Sequence, residues 1–138
     1  MTNSEIAQFE VLADRVWVQL LAVIPPEFKI HFGKIQMIIE DRATAEQIHE
    51  LGFSPDTDPL EICGMNVGVP ITDESLLEPA LYPTRIFLFR EALLDQADYD
   101  GSPEAIEDLR EEIAITILHE IGHFFGLDEE DLDRLGFA

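Results

Sequence analysis

Basic residues are scarce in this chain: 8 lysines and arginines stand against 29 aspartates and glutamates, a formal net charge of −21 over 138 residues. A surface of that sign repels phosphate backbones and anionic headgroups, which argues against nucleic acid and membranes as partners. It keeps a protein soluble and suits basic or unfolded polypeptide as a substrate. Cysteine is almost absent, and the single Cys63 has no second thiol with which to form an internal disulfide. The cytoplasm is the expected compartment. Long apolar runs are missing too: no stretch approaches the length of a membrane span, and Asp14 and Arg15 interrupt the first amphipathic segment. The start, Met1-Thr2-Asn3-Ser4-Glu5, lacks the basic residues and small-residue cleavage site of a secretory signal. Repeats, low-complexity tracts and linkers are lacking as well, so residues 1–138 read as one domain. An apolar content of 46% is enough to build a real core.

The residues that are present fall into recognisable elements. From Ser4 to about Ile24, Ile6, Phe9, Ala13, Val16, Trp17, Leu20 and Ile24 share one stripe of an amphipathic helix, which Pro25-Pro26 ends. Lys34 to Glu40 predicts a strand, Ala45 to Leu51 a short helix closed by Gly52, and Leu60 to Val67 a second strand. Phe53 to Pro59 and Val69 to Pro83 read as loops. The clearest strand is Arg85 to Arg90, whose apolar residues on both faces imply cover on both sides or one face held for a ligand. Glu91 to Ala97 predicts a short helix. The fold class is α+β: a small mixed sheet packed on a long N-terminal helix and a second long helix near the other end.

That second helix carries the chemistry. Ser102 is its expected N-cap, Pro103 its first residue and Gly126 its stop, with Ile106, Leu109, Ile113, Ile117 and Phe124 as its apolar stripe. Inside it stands His119-Glu120-Ile121-Gly122-His123, which reads H-E-x-x-H. Residues four apart stack on one helix face, so two neutral imidazoles can grip one metal ion. The intervening glutamate is placed to polarise a water on that ion, the arrangement of zinc hydrolases and above all of metallopeptidases. On a helical wheel Glu120 falls within the apolar stripe. A carboxylate buried there without a partner costs several kcal/mol, roughly, and a metal with its water answers the need.

Extended, residues 119 to 135 read HEIGHFFGLDEEDLDRL. This segment resembles the small bacterial zincin-like metallopeptidase family, whose motif is H-E-x-x-H-x-x-G followed by an acidic helix start. Ile24-Pro25-Pro26-Glu27-Phe28, the strand ending Ile39-Glu40-Asp41, the segment GMNVGVP and the stretch RIFLFREALLDQA match its usual layout as well. The resemblance implies a zincin-type fold with a three- or four-stranded sheet on the metal-binding helix. It also implies zinc as the metal and peptide hydrolysis as the reaction. Members with a glycine turn take a third ligand three residues after the glycine, and that position is Glu129. Asp128, Asp131 or water are the alternatives, and Asp128 also reads as the N-cap of a last short helix, Glu129 to Leu135. Few residues follow His123, so the resemblance implies an open cleft, completed if at all by a second copy or a partner.

In the resulting expectation His119, His123 and Glu129 hold zinc, Glu120 is the general base, and the strand from Arg85 to Arg90 borders the cleft and pairs with an extended peptide. A deformylase or amidase using Cys63 as third ligand is the rival among enzymes. A non-proteolytic metal-binding module is the rival outside them. His31 and His49 are isolated from the motif and receive no role, and nothing fixes Tyr82 or Tyr99 relative to the metal.

Overall fold

The computed structural model describes residues 2–23, 26–29, 32–68, 84–126, 128–130 and 134, with the side chains of Glu27 and Phe28 excepted. Ile24, Pro25, His31, Tyr82, Asp131 and the loop expected over 69–83 lie outside the described residues.

The first helix, α1 (Asn3–Val23), buries Phe9, Ala13 and Val16 at helical spacing. Pro26 opens a short helix, α2 (Pro26–Lys29), as its fixed φ suits a first turn. Strand β1 (Ile35–Glu40) follows a tight turn at Phe32–Lys34, so Lys34 belongs to the turn and not to the strand. Helix α3 (Ala45–Glu50) is started by Thr44 and Gln47, each side chain bonding the other's backbone N–H. Strand β2 (Gly64–Val67) is shorter than expected. The cause is Pro59, which has no N–H for a ladder and instead starts a one-turn helix over Pro59–Glu61, capped by Asp58. Strand β3 (Thr84–Phe89) leads directly into α4 (Arg90–Gln96), and α5 (Pro103–Phe124) is the motif helix.

The sheet order is β1-β3-β2. Strands β1 and β3 are parallel, with Ile35 beside Thr84 and Glu40 beside Phe89, whereas β2 runs antiparallel to β3, with Gly64 beside Leu88. The most apolar strand is therefore the central one. Because strand side chains alternate, Ile86 and Leu88 enter the cluster formed with α1 and α5, beside Phe9, Val16, Ile113, Ile117 and Phe124. Phe87 and Phe89 enter a second cluster with Ile48, Ile62 and Met65. Both faces of β3 are thus covered by the protein itself.

Two corrections to the sequence expectations have physical causes. Ile106 does not join the buried stripe of α5; it is 42% exposed, and Ala105 is buried in its place. Arg90 does not end a strand but begins α4 as a buried cation. Its Nη1 donates to Asp41 Oδ1, its Nη2 lies 3.7 Å from Glu10 Oε1, and its guanidinium carbon stands 5.8 Å from the Phe9 ring centroid. Arg90 therefore ties α1, the end of β1 and α4 together through charge and a ring face.

The contact that places the motif helix on the sheet is made at Gly64. A Cβ there would meet Phe87 O and Thr116 Cγ2, each at 2.7 Å, so only glycine lets β2 approach α5 this closely. Gly64→Ala is expected to lower stability by about 1–3 kcal/mol through overpacking, read as a reduced denaturant midpoint with an unchanged slope.

Candidate metal centre

Helix α5 begins at Ser102, whose Oγ accepts from Ala105 N at 3.2 Å, with Pro103 next. From this start the helical repeat carries the buried row Leu109, Ile113, Ile117 and Phe124 against the sheet and α1. Glu120 falls on the same side and is only 7% exposed. His119 and His123 lie one step round the helix, half-buried, with their Nε2 atoms 3.1 Å apart. The helix stops where expected. Phe125 N–H reaches back to Ile121 O, and Gly126 takes a φ of +82° with its N–H on His123 O at 2.9 Å.

That reversal brings Glu129 to the histidines. Its Oε1 lies 3.2 Å from His119 Nε2 and 2.9 Å from His123 Nε2. Three potential donors thus form a nearly equilateral triangle. Around a tetrahedral zinc with bonds of about 2.0–2.1 Å, donors stand about 3.3 Å apart, so these three need open by only a few tenths of an ångström to hold one. Among the described residues, His119, His123 and Glu129 form the cluster with metal-ligand spacing. Asp128 and Cys63 are not part of it.

Beside the triangle, Glu120 Oε2 is buried and has no hydrogen-bond partner among the described residues. The Glu120 carboxyl is raised from 4.5 to about 7, chiefly by burial, with His119 acting in the opposite sense and the Glu129 carboxylate adding to the rise. An orphaned carboxylate next to two imidazoles and a second carboxylate fits a site that receives a cation and a water. The backbone at this residue is pinned as well, because Asn66 Nδ2 on β2 donates to Glu120 O at 3.0 Å.

A pH dependence follows for the metal-free protein. Glu120 binds its proton more tightly when folded, so it costs nothing below pH 4.5 and destabilises progressively as pH rises from 4.5 through about 7. That gap is worth about 3 kcal/mol, as an order of magnitude. Metal-free Glu120→Gln should gain stability over the parent across this window and match it at pH 4, measured as the difference between urea midpoints of the two proteins.

The cluster lies in an open groove of about 720 Å³ whose walls include Gly64 and Asn66 of β2 and Thr116 of α5. Cys63 also lines it, half-buried, but burial pushes its thiol up to about 11, with the Glu112 and Asp95 carboxylates adding to the effect. Cys63 is not among the clustered donors, so the deformylase reading, which needs it as third ligand, has no geometric support. His49 is exposed on α3, and Tyr99 packs against the core beside a different groove between α1 and α5. Neither reaches the cluster. Gly64 and Asn66 went unassigned in the sequence reading, although an asparagine inside a strand, where it is disfavoured, is a signal for a dedicated contact.

A family model described as zincin-like metallopeptidase matches residues 32–137. The match spans most of the chain, and the protein belongs to that family. No curated protein shows significant similarity to it. The matched region begins after α1, yet α1 supplies Phe9, Ala13 and Val16 to the core that supports α5.

Proposed function

We propose that the protein is a zinc-dependent peptidase in which His119, His123 and Glu129 hold the metal and Glu120 is the general base. The observation that carries this reading is the convergence of three donor atoms within 3.2 Å beside a buried carboxylate whose Oε2 has no hydrogen-bond partner among the described residues. Zinc, when bound, supplies Lewis-acid polarisation of a carbonyl and makes water a usable nucleophile near neutral pH. Glu120 accepts the proton that water gives up as it attacks the peptide carbonyl, and delivers it to the departing amine. Asn66 holds the Glu120 backbone at a fixed distance from β2, so base and strand share one frame.

Peptide binding by β3 is ruled out by its central position, because β1 and β2 already occupy both of its edges. Strand β2 takes that role here. Among the described residues it pairs only with β3, and Gly64 and Asn66 face the groove, so an extended peptide has unpaired backbone groups to join. A second copy or a partner protein would complete the far wall of so open a groove. The half-buried lone thiol suits the reducing cytoplasm.

The test is joint measurement of zinc content and hydrolysis. One zinc per chain with cleavage in a diverse peptide library is the expected result. Zinc without cleavage would favour a metal-binding module, although a purely structural site has no use for a buried base beside it.

A further inference from the structure

The groove beside the polar cluster holds two large apolar side chains left substantially in water. Phe53, just after α3, is 51% exposed and Ile115, one turn before His119 on α5, is 40% exposed. With Leu51 and the buried Ile62 they make one apolar wall contributed by three separate parts of the chain. The remaining titratable groups lining the groove are Glu61, Glu120, Glu129 and the two histidines, and no lysine or arginine lines it among the described residues. Neither Phe53 nor Ile115 is used by the core clusters, so the fold does not account for their placement.

We propose that this wall is a specificity subsite that receives a large apolar side chain from a basic peptide, with Phe53 and Ile115 as its determinants. This rests on the peptidase reading for its setting, since the subsite lies beside the cluster that would cleave the peptide. A leucine or phenylalanine laid on Phe53 and Ile115 removes apolar surface of both partners from water, which a polar or small side chain cannot do. Lysines on either side of that residue meet carboxylates at the groove edge and a chain of net charge −21, whereas acidic flanks are repelled. An apolar residue between basic ones is common in unfolded polypeptide and is normally hidden in a folded one.

The experiment uses Glu120→Gln protein, so that nothing is cleaved, and end-blocked fluorescent decapeptides read by anisotropy. One peptide carries phenylalanine between lysines, a second carries alanine there, and a third replaces the lysines by glutamates. Phenylalanine should bind at least tenfold tighter than alanine, and the glutamate peptide should bind weakest, with the gap shrinking as salt rises. Adding Phe53→Ser and Ile115→Asn, both at solvent-exposed positions, should erase the preference while zinc content and circular dichroism stay unchanged. Equal affinity for phenylalanine and alanine peptides, a preference that survives both substitutions, or no binding of any peptide would overturn the proposal. Failure of the peptidase reading looks different: parent protein that binds the phenylalanine peptide selectively and never cleaves it keeps the subsite and loses the enzyme.

Discussion

Glu120→Gln is expected to keep zinc at parent stoichiometry and to reduce peptide hydrolysis at least a hundredfold. The amide matches the carboxylate in shape, so the packing of α5 against β2 at Thr116 and Gly64 should survive the change. What it loses is the ability to take a proton. A positioned acid–base group contributes roughly 10²–10⁴-fold to such reactions, which bounds the effect from below. Glu120 is not one of the three clustered donors, so metal content should not follow activity. Zinc content by atomic absorption and rates on the best library peptide, measured on the same preparations, check both halves. A variant as active as the parent would remove Glu120 as the base; a variant that lost its zinc would make it a ligand.

The pattern of legibility in the sequence follows the range of the forces involved. Local rules carried far: Ser102, Pro103 and Gly126 set the bounds of α5, and helical spacing alone predicted that Glu120 turns inward. The strong apolar content of Arg85–Arg90 leaves two readings, cover on both faces or one face held for a ligand, and the structure shows the first, as a central strand requires. Strand order was not readable, since pairing partners are set by crossovers and packing that leave no mark on either strand. Sequence alone therefore points to β3 for peptide binding, whereas among the described residues β2 is the edge strand that lines the groove. Close approaches were equally hidden: Gly64 reads as punctuation in sequence, and its purpose is visible only once Thr116 and Phe87 are beside it. The same holds for Phe53 and Ile115, which read as ordinary apolar residues until the structure leaves them exposed in one groove.

Replacing any one donor of the triangle should cost zinc, and the three costs should differ. His119→Ala or His123→Ala is expected to abolish stoichiometric binding, because each removes an imidazole held by the packed helix α5, whereas Glu129 lies on the exposed segment beyond it. Protons compete with the metal for both imidazoles, so parent affinity should fall as pH falls. Glu129→Ala should weaken zinc binding at least tenfold and leave the fold intact, since Glu129 is 69% exposed and belongs to neither core cluster. Glu129 begins a helical segment, where its charge gains at most about 1 kcal/mol from the helix dipole. A metal bond would be the stronger interaction, and the turn at Gly126 already sets Glu129 Oε1 2.9 Å from His123 Nε2. Glu129→Gln separates the two further: it keeps a carbonyl oxygen at the same reach but removes the charge that neutralises the ion. Its affinity should fall between those of the parent and Glu129→Ala. Competition titrations with a chromophoric chelator at fixed pH measure all four variants on one scale. Unchanged affinity in Glu129→Ala would remove Glu129 from the site and make Asp128, Asp131 or water the third ligand to test.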